Sequence, residues 1–156
     1  MKAANETEEF RYRIRNKNIV IHDKVNAGIT VFRDDGLYSN VIVKYSDNVR
    51  EFILITEEAI KKGKKNIIIA EEQKGIDDVI YITCLPWISF TSAMHPVKLD
   101  SDDSIPRIAW GKYFEECRKY KLPLSVQVNH SLMDGIHVVK FYEKLQNIFN
   151  FPGKYF

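Results

Sequence analysis

The run VQVNHSLMDG closes with an imidazole, a carboxylate four residues later and a glycine: His130, Asp134 and Gly135. A neutral imidazole, with an ordinary pKa of about 6.5, can take a proton from a hydroxyl near neutral pH when one ring nitrogen is held and the other faces a substrate. The same three residues also make a plain strand-to-helix joint, in which Asp134 caps the helix, Gly135 eases the turn and His130 bonds a buried carbonyl. Spacing alone leaves both possibilities open.

The flanking sequence predicts the elements that would hold this joint. In LPLSVQVNHS, alternation sets Leu124, Val126, Val128 and His130 on one face and Ser125, Gln127 and Asn129 on the other, so His130 is expected on the buried side. After Gly135, the residues Val138, Phe141, Tyr142, Leu145 and Ile148 form an apolar stripe at helical spacing.

Upstream, RYRIR (11–15) and IVIHD (19–23) flank Asn16–Asn18 and predict a hairpin, as do AGITVFR (27–33) and YSNVIVKY (38–45) around the DDG turn at 34–36. In SDNVREFILITEEAIKKGKK, Val49, Phe52, Ile53, Ala59 and Ile60 recur at helical spacing, with Asp47 as the expected N-cap and Gly63 as the expected stop. Residues 66–78 give no reading. VIYITCLPW (79–87) and IPRIAWGKYF (105–114) read as strands, and HPVKLDSDDS between them as a polar, exposed loop. KKGKK at 61–65 is expected to be a solvated helix end that complements the helix dipole, although it could hold a phosphate.

A chain of 156 residues, 45% apolar and 28% charged, can bury one sizeable core, and a single domain over 1–156 is expected. Its 23 basic and 21 acidic side chains are interspersed, which argues against a nucleic-acid partner. Cys84 and Cys117 are far apart, so neither a disulfide nor a thiolate metal site is expected, and His22, His95 and His137 lack metal-ligand spacing. MKAANETEEF has neither a signal peptide's apolar core nor the length of a membrane span. A cytoplasmic protein without a membrane partner is expected.

PLSVQVNHSLMDGIHVVKFYEKLQ resembles the signature region of the chloramphenicol acetyltransferase family, whose His-x-x-x-Asp-Gly motif is matched by His130, Asp134 and Gly135. The similarity continues through EFRYRI, IVIHDKV, ITVF, YITCLPWISFTS and GKYF, from about Asn5 to the final helix. The resemblance implies the α+β, two-layer fold of the CoA-dependent acyltransferases, a mixed and largely antiparallel sheet covered by helices. It also implies a homotrimer with active sites between subunits, and acetyl transfer from acetyl-CoA to a hydroxyl of a small molecule such as chloramphenicol, the chemistry of antibiotic resistance. No metal and no covalent acyl-enzyme are implied.

By the same resemblance, His130 is the general base, Thr83 the hydroxyl that stabilises the oxyanion, and Asp134 an anchor of the catalytic loop held by an arginine from the N-terminal region. Lys112 and Tyr113 match residues at the adenosine end of CoA, while Phe90, Ala93, His95 and Val97 match the acceptor pocket. Four positions depart from the family's pattern. Ala109 stands where a threonine helps bind the transition state, Asn129 where many members have a second histidine, and Ala93 and His95 where the pocket is apolar. The family's opening strands and helices have no counterpart, so the chain is expected to be N-terminally truncated relative to the family. A second expectation follows from these departures: a catalytically impaired homologue that keeps the trimeric fold and binds CoA or ligand without turnover. A third is that another chain supplies the absent segment.

Overall fold

The computed structural model of the chain describes residues 1–65, 75–97 and 102–155. A short helix α1 (Lys2–Asn5) and a single 3-10 turn lead into β1 (Tyr12–Arg15) and β2 (Asn18–Ile21), an antiparallel hairpin turned by Asn16 and Lys17. Then follow β3 (Asn26–Phe32), β4 (Tyr38–Val43), α2 (Val49–Lys64), β5 (Val79–Leu85) and β6 (Arg107–Gly111). The last elements are β7 (Phe114–Glu116), β8 (Lys119–Lys121), β9 (Leu124–Gln127) and α3 (Gly135–Asn150).

The principal sheet runs β4-β3-β5-β6-β9. Its β3–β4 and β6–β9 pairs are antiparallel, and its β3–β5 and β5–β6 pairs are parallel. With the β1–β2 and β7–β8 hairpins, antiparallel pairing predominates in a mixed α+β fold. The parallel β3–β5 pair requires a crossover, and α2 provides it.

Each central strand alternates between two different environments. Ala27, Val43, Ile80, Ile82 and Ile108 point from one face into the core, where Phe10 stacks on Phe141 of α3 with ring centroids 4.6 Å apart. Leu132 and Met133 fill the same core from the turn before α3. The opposite face carries Thr30, Tyr81, Thr83, Arg107 and Gln127 and is not a hydrocarbon layer.

Four expectations need correction. Asn48, not Asp47, caps α2: its side chain accepts a hydrogen bond from the Glu51 N–H at 3.2 Å. Gly63 does not end α2 but lies buried within its last turn, where a Cβ would come 2.8 Å from Val41 Cγ1. The glycine therefore serves close approach of helix to sheet, and the apolar stripe is Phe52, Ile55 and Ala59, with Ile53 exposed. The strand expected over 105–114 is two strands, β6 and β7, and β7 belongs to a separate hairpin turned by Cys117 and Arg118 in the left-handed region. The loop expected to be exposed is packed at its C-terminal end, where Ser104 is buried, accepts from the Ile14 N–H and donates to the Asp102 carbonyl. Residues 98–101 of that loop, and 66–74 of the stretch without a reading, lie outside the described residues.

Arg13 is wholly buried in β1. Its guanidinium donates to the carbonyls of Phe10, Tyr12, Asp77 and Val79, joining the first hairpin to the start of β5. Burial pushes its pKa down to about 10, which leaves it charged at neutral pH. Beside it the Arg15 guanidinium grips the Asp77 carboxylate and holds its pKa below the usual range, with His22 Nε2 at 3.1 Å. Replacing Arg13 with methionine keeps the length of the side chain but strips four carbonyls of a charged donor. Arg13→Met is expected to lower the unfolding free energy by about 3 kcal/mol or more, read from urea denaturation.

Candidate active site

Thr83, on the non-core face of β5, aligns with Ala109 of β6, which aligns with Ser125 of β9. Over this face passes the segment 93–97. Ser125 Oγ donates to the Ala93 carbonyl at 2.7 Å, the His95 N–H donates to Gln127 Oε1 at 2.8 Å, and Gln127 Nε2 donates back to the His95 carbonyl at 3.4 Å. The polar side of β9 thus tethers a strap.

The tether brings the imidazole of His95 to Thr83, with Nε2 3.4 Å from Thr83 Oγ1. His95 Nδ1 is buried and makes no hydrogen bond among the described residues. Both residues line a cleft of about 440 Å³ together with Thr30, Tyr81 and Arg107. Arg107 lies over the Tyr81 ring at 5.7 Å and is paired with both Asp103 carboxylate oxygens, at 3.1 and 2.9 Å, so the cleft holds a cation already neutralised. Phe90 packs at the end of β6 against Gly111, where a Cβ would fall 2.6 Å from the Ile88 carbonyl. Val97 is exposed at the far end of the strap.

His130 does not lie where alternation put it. Leu124, Val126 and Val128 do pack on the core, but β9 ends at Gln127 and the chain turns before His130, whose side chain is 87% exposed. Asn129 makes the turn: its carbonyl accepts from the N–H groups of Leu132 and Met133, its Oδ1 accepts from the Ser131 N–H, and its Nδ2 donates to the Asp103 carbonyl. The burial expected of His130 falls instead to Leu132 and Met133. His130 Nδ1 lies 3.3 Å from the Met133 carbonyl and 3.4 Å from Asp134 Oδ1. Two acceptors beside one nitrogen favour the tautomer protonated there, with Nε2 as the open lone pair.

Asp134 occupies the N-cap of α3, and its N–H donates to His137 Nδ1 at 2.9 Å. Its carboxylate is 68% exposed, so Asp134 carries no buried charge that would require an arginine, and His130 lies alongside it. His137 in turn points Nε2 toward Glu9 at 3.4 Å and fastens the helix start to the N-terminal segment.

Lys112 and Tyr113 are exposed between β6 and β7. Tyr113 meets Tyr120 edge to face at 5.7 Å and lines a second cleft, about 640 Å³, between the β7–β8 hairpin and α3; Lys112 does not line it. Six of the nine expected site residues fall into three groups: Thr83 with His95 and Ala93, His130 with Asp134, and Tyr113 with its hairpin. No contact joins Thr83 to His130 among the described residues. They are separated by the two strand spacings from β5 to β9, roughly 10 Å, and by the further run of chain to the turn. Sequence reading missed Ser125, Gln127 and Arg107, although three polar residues alternating through LSVQVN were a sign that this face had something to hold.

No group of His, Cys, Asp and Glu side chains among the described residues could hold a metal ion, and no described helix is long and apolar enough to cross a membrane. Cys84 and Cys117 are both free and exposed.

Burial of His95, with a further contribution from Arg107, lowers its pKa below the usual histidine value. The unfolded chain then binds the proton more readily than the folded one. Stability is whole above about pH 6.5 and declines as pH falls through that value toward the lowered folded one. A histidine NMR titration is expected to show His95 neutral at pH 6.5, and His95→Gln is expected to flatten this part of the stability curve.

The family model described as chloramphenicol acetyltransferase matches residues 1–146. The chain is 29% identical over 150 residues to chloramphenicol acetyltransferase 3 of Escherichia coli, covering 96% of this chain and 70% of that one. It is 28% identical over 148 residues to the Campylobacter coli chloramphenicol acetyltransferase, covering 94% and 72%. Among solved structures, a chloramphenicol acetyltransferase superposes with a TM-score of 0.80 at 22% identity, covering 94% of this chain and 72% of that one. The dihydrolipoamide acetyltransferase of Azotobacter vinelandii superposes with a TM-score of 0.68 at 19% identity, covering 92% and 62%. At these identities the structural likenesses speak for the fold.

Proposed function

Because the chain belongs to the chloramphenicol acetyltransferase family, we propose that it moves the acetyl group of acetyl-CoA onto a hydroxyl of a small molecule, with chloramphenicol, for which its relatives are named, as the first acceptor to test. The observation that carries this reading is the state of His130. Its Nδ1 lies beside a carbonyl and a carboxylate, and Nε2 stands open on a turn fixed by Asn129, which accepts three hydrogen bonds and donates one.

In this mechanism His130 Nε2 takes the hydroxyl proton as the oxygen attacks the thioester carbonyl. A C–O bond forms, charge gathers on the carbonyl oxygen, and the C–S bond then breaks; the proton passes to the departing thiolate as CoA thiol. A positioned base contributes about a hundred- to ten-thousand-fold. Thr83 donates to the oxyanion, a contact worth about 3 kcal/mol in a site shut off from water. Phe90, Ala93, His95 and Val97 shape the acceptor pocket, and Tyr113 with Lys112 receives the adenosine end of CoA.

The separation of Thr83 from His130 supports a site shared between copies. One chain would present the cleft with Thr83 and a neighbouring copy would present His130, as in a homotrimer. Trp87 and Met94, 77% and 85% exposed, supply apolar surface for such contacts. On this reading residues 1–156 form one domain working in the cytoplasm. A second reading, ligand binding without turnover, is favoured by Ala109, which places a methyl group between the hydroxyls of Thr83 and Ser125.

Thiol release from acetyl-CoA with chloramphenicol tests the proposal. His130→Ala is expected to lower kcat by about a hundredfold or more, and equal rates would remove His130 from the mechanism. His130→Ala and Thr83→Ala chains refolded together are expected to regain part of the lost activity, because some sites then combine two intact residues. No gain over the separate variants would argue against a shared site, and CoA binding by calorimetry without turnover of any hydroxylated acceptor would favour the second reading.

A further inference from the structure

His95 is held in an unusual way. Its peptide N–H and carbonyl are both engaged by the one amide of Gln127, and the preceding strap is pinned by Ser125 to the Ala93 carbonyl. The main chain that carries the imidazole is therefore placed by the sheet itself. One nitrogen, Nδ1, is buried without a hydrogen-bond partner among the described residues, and the other lies 3.4 Å from the Thr83 hydroxyl.

This asymmetry favours one tautomer, since Nδ1 is unpaired either way and a stranded N–H is the costlier of the two. A proton on Nδ1 would strand a buried donor, whereas a proton on Nε2 finds an acceptor in Thr83 Oγ1. Burial disfavours a second proton on the ring, and Arg107, in the same cleft, acts in the same direction. Thr83 Oγ1 then receives a hydrogen bond on the His95 side, which leaves its own hydrogen free to turn to the cleft that Thr83 lines.

We propose that His95 is a positioning residue for Thr83: its Nε2–H donates to the Thr83 hydroxyl and aims the Thr83 O–H at the oxyanion position. This rests on the reading of Thr83 as the oxyanion donor and adds what orients it. A hydroxyl on a strand rotates among several directions, and only one of them faces a developing charge. An accepted hydrogen bond removes that freedom, and polarisation along the His95–Thr83 chain strengthens the donated bond. His95 touches no reacting atom in this arrangement.

Two measurements test it. In nitrogen-15 spectra of the neutral protein, with His95 assigned through His95→Gln, the ring is expected as the Nε2–H tautomer and its signals are expected to move in Thr83→Val. An Nδ1–H tautomer, or signals indifferent to Thr83→Val, would overturn the proposal. In the acetyl-CoA and chloramphenicol assay, His95→Leu is expected to lower kcat by about tenfold in the parent and by less than about twofold in a Thr83→Ala background, with His95→Gln, which keeps a donor, recovering most of the rate. A Thr83→Ala chain with unchanged kcat would overturn the donor reading and the role of His95 together. If Thr83→Ala lowers kcat but the two losses multiply independently, only the role of His95 falls.

Discussion

A single buried cation governs how this chain closes. The guanidinium of Arg13 has left water for a site where its hydrogen-bonding capacity is directed to main-chain carbonyls, two on its own side and two at Asp77 and Val79. A buried charge of this kind is tolerable only when such acceptors surround it. The same contacts set the height at which β5 enters the sheet, and Thr83 lies four residues further along that strand. The position of the hydroxyl in the cleft is therefore a distant result of where an arginine in the first hairpin finds its carbonyls.

The principal sheet is a divided object. Its hydrocarbon face is an ordinary core of valine, isoleucine and phenylalanine around stacked Phe10 and Phe141. Its other face is built from side chains that bind the backbone of 93–95, pair with each other or line the cleft. Arg107 shows how finely this face is balanced: Asp103 takes its charge, the Ile105 carbonyl takes another donor, and Tyr81 takes the flat of the guanidinium. A cleft so neutralised suits an uncharged hydroxyl compound better than an anion.

Much of this was legible in the sequence because it follows from local periodicity. The two early hairpins, the helix over Val49–Lys64, β5 with its stop before Pro86, and the strand-to-helix order around Asp134 could all be read from spacing and turn chemistry. What failed did so for identifiable reasons. Alternation was carried past the last paired residue of β9, so His130 was sent to a core that Leu132 and Met133 occupy. Gly63 looks like a helix stop in one dimension, and only the approach of Val41 shows otherwise. The β7–β8 hairpin turns through Cys117 and Arg118, neither a common left-handed residue, so it left no mark. The pairing of His95 with Thr83 joins residues twelve apart through a strap whose course depends on β9, and no local rule reaches that far.

The way the strap is moored bears on how this protein can change. Ser125 and Gln127 grasp main-chain atoms at positions 93 and 95, so the mooring is blind to which side chains those positions carry. Side chains there can be exchanged, as the teeth of a key are recut without altering its shaft, while the scaffold stays rigid. What lines the cleft is thereby uncoupled from the integrity of the fold.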